Sequence, residues 1–324
     1  MHNLFRTLAA ASLLSALPAI AAPAAPAASA KTYPPSAFKD GAIKCQQQRQ
    51  WDCAEFNWTH YIKMRPTDAH AIASLAVIYN WDDKPELAIV QAEKAIEMGQ
   101  GTYDLFAGYA ESLEKVGRID EAIDWSYKTL AIMPSLVNVR GDLARLLVMK
   151  KREQEALGLL ASFDASLEAK GHGQYFEGQR MAIEAAIDRQ GQAAPTAQKS
   201  LRVSKLGDHF YAPVKIGQGV AAAFVVDTGA SQTTLSDAML AESKASYKVT
   251  KPNVNIGLAD GRHVSARVVL LDKVKVGSFE LRNVTAVVCP TCVALLGQGS
   301  LSHFNLASSK KQGVEFMTLE PRAR

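Results

Sequence analysis

At 324 residues, 48% hydrophobic and 21% charged, the chain has the size and composition of two ordinary globular domains, which excludes wholesale disorder. Its formal net charge of +4 is spread along the chain, with basic doublets at Lys150-Lys151 and Lys310-Lys311, so nucleic acid is not an expected partner. In chain order, MHNLFRTLAAASLLSALPAIAA pairs one arginine with an apolar run and small residues at Ala19 and Ala21, which predicts a secretory signal over 1–21. An Ala/Pro-rich flexible segment follows over 22–34. No later apolar run reaches the roughly 20 residues of a membrane span. The expectation is an exported protein, periplasmic or secreted, with no membrane attachment after signal cleavage.

Alanine recurs every 34 residues at Ala42, Ala76, Ala110 and Ala144, and again at Ala54, Ala88, Ala122 and Ala156. Each interval holds two amphipathic stretches such as AIASLAVIYN and PELAIVQAEKAIEMG, and the fixed small residues let paired helices approach. Pro66 and Pro134 close their units, while units two and four lack that proline. The pattern resembles the tetratricopeptide repeat over about Pro35 to Ser162, as four units. A further helix near Tyr175 to Arg189 is expected to cap the stack, giving a helical repeat domain over 35–188. Such a solenoid predicts a concave groove for a partner protein or peptide, with Asn80, Trp81, Glu111 and Arg145 on its inner face; a spacer that holds nothing specific is the other reading. Cys45 and Cys53 flank the first turn, and an oxidising compartment would let them bridge.

RQGQAAPTAQKS is polar, proline-bearing and aperiodic, which marks a linker over 189–200. Beyond it, over 201–324, the rhythm becomes alternating. HFYAPVKIGQGVAAAFVVD predicts a hairpin turning at Gly217-Gln218-Gly219. SARVVLLDKVKVGSFELRNVTAVV predicts strands broken at Gly277-Ser278 and near Asn283, and VEFMTL a last strand. SDAMLAES and GSLSHF are the helical stretches. The fold class is therefore α + β in two domains, an α-solenoid followed by a mainly β barrel.

One apolar strand of the second domain ends in Asp227-Thr228-Gly229-Ala230, and another in Leu295-Leu296-Gly297; a glycine-bearing hairpin, GLADGRHV, carries Ala259, Asp260 and Gly261. These residues resemble the retropepsin-like aspartic peptidases, closest to the exported bacterial branch with its D-T-G-A motif, over about Phe210 to Leu319. Physically, a strand-end aspartate is rigidly held, Gly229 admits close approach, and Thr228 offers a short hydroxyl. Hydrolysis of an amide by water needs one carboxylate as base and one carboxylic acid to polarise the carbonyl. Two such groups held close together share a proton.

The β domain is too short for two lobes and carries one such motif. The resemblance therefore implies that the second carboxyl is Asp227 of another copy, with Thr228 reaching across to the opposite loop, the VEFMTL strands interleaving, and the GLADGRHV hairpin closing over substrate as a flap. Asp260, in an ordinary turn sequence, is the weaker candidate for that second carboxyl. Gln298-Gly299, after the Leu-Leu-Gly, departs from the bulkier apolar residues usual in the branch.

Ser231 lacks a nucleophile elbow, and none of His60, His70, His172, His209, His263 or His303 has triad context. Without H-E-x-x-H, no metal or cofactor is expected. Cys289 and Cys292 in Cys-Pro-Thr-Cys are expected to form a local bridge rather than a redox or zinc site. The reading is a homodimeric aspartic endopeptidase whose repeats recruit a protein or peptide; the alternative is a non-catalytic adaptor whose β domain only dimerises or binds peptide.

Overall fold

In the computed structural model, which describes residues 33–191, 199–257, 261 and 263–322, helices pair wherever the periodic alanines fall. The hairpins are α1 (Pro35–Gln47) with α2 (Trp51–Met64), α3 (Ala69–Trp81) with α4 (Pro85–Glu97), α5 (Tyr103–Lys115) with α6 (Ile119–Ile132), and α7 (Val137–Met149) with α8 (Glu153–Glu168). All eight alanines are buried, none more than 5% exposed, because a larger side chain there would push the paired helices apart.

The 34-residue period also sets the backbone of the tight turns. Arg49, Asp83, Gly117 and Lys151, each one repeat apart, all take positive φ, between 53° and 81°. At each, the following amide donates to the carbonyl five residues back, as in Gln50 N to Cys45 O and Arg118 N to Leu113 O, both 2.9 Å. This is the left-handed helix stop in which glycine is preferred, yet only the third unit has one. The two helix ends without proline close by the same device: Gly99 and Gly171 take φ of 90° and 79° after α4 and α8. A disulfide joins Cys45 of α1 to Cys53 of α2.

Past α9 (Glu177–Gly191) come β1 (Leu201–Leu206), β2 (His209–Ile216), β3 (Ala222–Val226), β4 (Thr233–Ser236), α10 (Asp237–Ser243), β5 (Tyr247–Gly257), β6 (His263–Val276), β7 (Phe279–Cys289), β8 (Leu295–Leu296), α11 (Gln298–Leu301), β9 (Phe304–Lys311) and β10 (Val314–Pro321). The strand order is β5-β6-β7-β4-β8-β3-β2-β1-β10-β9, and β6 pairs again with β2, so six strands close into a ring around Phe224, Leu235, Val269 and Leu296. Strand β7 runs unbroken through Asn283, where a break was expected. The asparagine absorbs the irregularity by taking φ 55° within the strand, a conformation its short polar side chain tolerates.

Helices and strands belong to one compact unit, Pro35–Arg324. Val314 and Phe316 of β10 lie in the helical core, and the Tyr127 and Phe316 rings meet edge to face at 5.0 Å. Glu155 of α8, 5% exposed, accepts from the Tyr127 hydroxyl at 2.7 Å, forms a two-bonded pair with Arg152, and lies 3.3 Å from Arg202 Nε of β1. Burial, together with that carboxylate, pushes the Tyr127 hydroxyl well above the usual phenol range. Gly158 lets α8 reach the sheet, since a Cβ there would lie 3.1 Å from Pro213 Cδ.

The turn backbone yields a stability prediction. Arg49 is exposed in a left-handed conformation that costs an L-residue about 1 kcal/mol or more. Arg49→Gly is expected to raise the unfolding free energy of the oxidised protein by about 0.5 to 1 kcal/mol, net of glycine's own entropic cost. A denaturant midpoint that falls instead refutes it.

Candidate active site

Asp227 stands at the carboxyl end of β3, and its position follows from how β3 is clamped. Val225 and Val226 run parallel to Leu295 and Leu296, with Val225 N donating to Ala294 O at 2.9 Å and Asp227 N to Leu296 O at 3.1 Å. On its other side β8 meets β4 at Leu295 and Thr234. The aspartate therefore leaves a strand whose neighbour has no freedom to slide.

The carboxylate is half-buried and has two unlike oxygens. Oδ1 accepts the amides of Gly229 at 2.8 Å and Ala230 at 3.2 Å, which turns the loop back on itself and fixes the side chain. Among the described residues Oδ2 accepts no hydrogen bond, and it is the oxygen left for chemistry. Thr228 is exposed, and its carbonyl accepts from Gln298 Nε2 at 2.9 Å. Gln298, the departure from the resembled pattern, thus ties the aspartate loop to the start of α11. Two backbone bonds reinforce that tie, Gln298 N to Ala230 O at 2.8 Å and Gly299 N to Ser231 O at 3.1 Å. Residue type alone gave no sign of this role; only the meeting of the two loops does.

Close backbone approach within the chain belongs to Gly297 rather than Gly229. A Cβ at Gly297 would lie 2.3 Å from Gln232 O and 2.8 Å from Ala230 O, whereas one at Gly229 meets only Asp227 Oδ1, at 3.3 Å. Leu296 is fully buried beneath the loop and Leu295 half-buried. Of the expected flap residues, Ala259 and Asp260 lie outside the described residues, and Gly261 has φ 82°. The base of that hairpin, Val254, Ile256, Val264 and Val268 of β5 and β6, packs on a small cluster containing Cys289 and Cys292, which are joined in a disulfide. The bridge thus underlies both the hairpin and the loop entering β8.

Strand β10, which carries the VEFMTL segment expected to interleave with a second copy, is hydrogen-bonded on both edges by its own chain. Leu201 to Ser204 of β1 pair with it on one side and β9 along its whole length on the other. The free edges among the described strands are β5 and β9. On the helical array, Asn80 is buried and donates to Glu111 at 2.9 Å, Arg145 pairs with Glu114 at 2.7 Å, and Trp81 is 49% exposed. Asp52, Glu55 and Asp82 are the one carboxylate group among the described residues close enough together to hold a cation, and Lys84 Nζ already sits 2.7 Å from both Glu55 and Asp82.

Residues 212–303 match the family described as "gag-polyprotein putative aspartyl protease". The fold is thus a tetratricopeptide-like helical array followed by a mainly β, retropepsin-like part that carries the family match. No curated protein matches the chain. Among solved structures, a retropepsin-like aspartic protease from Rickettsia conorii is 23% identical over 37% of this chain and 99% of its own, with a TM-score of 0.29. The tetratricopeptide protein YrrB, which has an unusual peptide-binding site, is 18% identical over 38% of this chain and 64% of its own, TM-score 0.36. The MamA protein is 12% identical over 51% of this chain and 97% of its own, TM-score 0.37.

The two glycines of the site separate by experiment. Gly297→Ala forces a methyl group into backbone that cannot yield and is expected to cost about 3 kcal/mol of stability, whereas Gly229→Ala costs about 1 kcal/mol or less. Equal losses in chemical denaturation would contradict the packing described.

Proposed function

We propose that the protein is an exported aspartic endopeptidase of retropepsin type, in which a water molecule held between Asp227 and Asp227 of a second copy attacks the peptide carbonyl. The observation that carries this reading is the state of Asp227 inside the segment that matches the aspartyl protease family: Oδ1 is locked by two loop amides and Oδ2 is open. One carboxylate takes the proton of the water as the other, protonated, donates to the carbonyl oxygen. Thr228, exposed on its loop, would reach toward the partner's loop, and the helical array would recruit the substrate or a companion protein.

A second reading, a non-catalytic adaptor whose β domain binds peptide, is favoured by one feature. Strand β10 has both edges satisfied within the chain, so the pair cannot form by exchange of that strand as arranged here.

The mature protein, incubated with a peptide library from acid to neutral pH, is expected to cleave it. Asp227→Asn should lower the rate by at least about a thousandfold while sedimentation still records the dimer. Wild-type inactivity across that range supports the adaptor, and undiminished cleavage by a strictly monomeric form overturns the shared site.

A further inference from the structure

A cavity of 690 Å³ opens where α8 and α9 meet the β-rich part. Its floor is apolar, built from Ala161 and Ala165 of α8, Val214 and Ile216 of β2, and Phe224 of β3, with Met239 of α10 at one side. That volume and lining are those of a site that holds a ligand, for which about 300 to 1,000 Å³ is usual.

Charge decides what the ligand is. The lining holds Asp164, Glu168, Glu177 and Glu242 against Arg180 alone, four carboxylates to one guanidinium, a formal −3 on a chain that is +4 overall. Arg180 is already committed. It is buried, its Nε lies 3.0 Å from Asp164 Oδ2, one terminal nitrogen donates to Ala221 O at 3.0 Å, and the other donates to Gln174. Glu168, Glu177 and Glu242 are exposed at the rim, and among the described residues only Glu168 of the three accepts a bond, from Gln174 at 2.6 Å. An apolar floor under an unneutralised acidic rim fits a segment with a lysine or arginine flanked by small apolar residues.

The cavity is also wired to the aspartate. Val225 and Ala294, joined by the 2.9 Å bond described above, are part of its wall, and Asp227 follows Val225 by two strand positions, about 7 Å. A segment lying in the cavity therefore rests on β3, which carries the carboxylate, and on the loop that leads into β8 and Gly297.

We propose that this cavity is a docking site for a cationic, otherwise apolar peptide segment, and, on the endopeptidase reading, that it holds a part of the substrate remote from the bond cleaved. One of its walls comes from the helical array, so the array selects substrate through this site.

The test uses the full mature chain carrying Asp227→Asn, so that binding is measured without cleavage. Two fluorescein-labelled dodecapeptides of equal apolar content, one with lysine and one with glutamate at its charged positions, are titrated and followed by anisotropy. The lysine peptide should bind at least about tenfold more tightly. That preference should vanish in Glu177→Lys/Glu242→Lys and survive in Glu86→Lys/Glu97→Lys, which makes the same charge change on α4, away from the cavity. Ala165→Trp, which fills the floor, should weaken the lysine peptide as well. Equal binding of the two peptides, or equal losses in the rim and control variants, overturns the proposal. Lysine-selective binding through the rim in a wild type that cleaves nothing would leave the docking site standing and remove the endopeptidase reading. Cleavage of short peptides with no lysine preference would do the reverse.

Discussion

The Glu155 carboxylate is the point on which the arrangement turns. It is buried on α8, and a lone buried carboxylate costs several kcal/mol. Here three partners converge on it: Arg152 from its own helix, Tyr127 from α6, and Arg202 from β1. Because the last of these comes from the β-rich part, the full set of partners is in place only when the strands lie on the helices. The Arg202 guanidinium in turn stacks on the Phe316 ring at 4.0 Å, so the ion cluster and the apolar join are one structure. A buried charged cluster of this kind adds little net stability but penalises every other register, which is what a join between two surfaces of unlike periodicity requires.

Two consequences reach the site. With β1 and β10 held on α6 and α8, the terminal hairpin is completed within the chain, and β10 has no free edge. With α8 and α9 held against β2 and β3, Glu184 accepts the Ala221 amide at 2.6 Å and Lys215 Nζ at 3.1 Å, which fixes the hairpin that feeds Asp227. Rigidity at the carboxylate thus comes from two directions, the Gly297 backbone packing on one side and the helical array on the other. A site that must hold a reacting oxygen within a few tenths of an ångström benefits from such support.

Much of this was legible in the sequence, and the omissions have physical causes. The alanine period gave the hairpins because steric demand at a helix crossing falls on single residues. The D-T-G-A and Leu-Leu-Gly segments marked the two loops because strand-end geometry is encoded locally. LRVSKL and FNLASSKK became β1 and β9 without prior notice: their helix-facing or outward positions carry arginine, serine and lysine, so alternation of apolar residues is weak. The burial of α8 was hidden for a similar reason, since Glu153, Gln154, Glu155 and Asp164 are all among its buried residues. Nothing in a residue's identity distinguishes a glutamate that meets water from one that meets an arginine 47 positions later. Gln298 belongs to the same group, its partner being a carbonyl 70 positions away.

The repeat itself records which face the strands cover. Phe56, Val90, Asp124 and Gly158 occupy one position in the four successive units, on the second helix of each. In units one and two the position holds apolar residues more than half exposed, Phe56 at 56% and Val90 at 57%. In units three and four it holds the residues that admit the sheet: Asp124 pairs with Lys311 of β9, and Gly158 gives room to Pro213 of β2. A regular solenoid would present the same chemistry at all four. The switch from bulky and apolar to charged or absent side chains falls at the third unit, where the strands begin, so the covered half of the array is specialised for its own β-rich part. Docking is therefore written into repeat positions rather than into the segment that joins the two, and replacing either Asp124 or Gly158 by the residue of units one and two would set a buried apolar or β-branched side chain against the very strands that the repeats are shaped to carry.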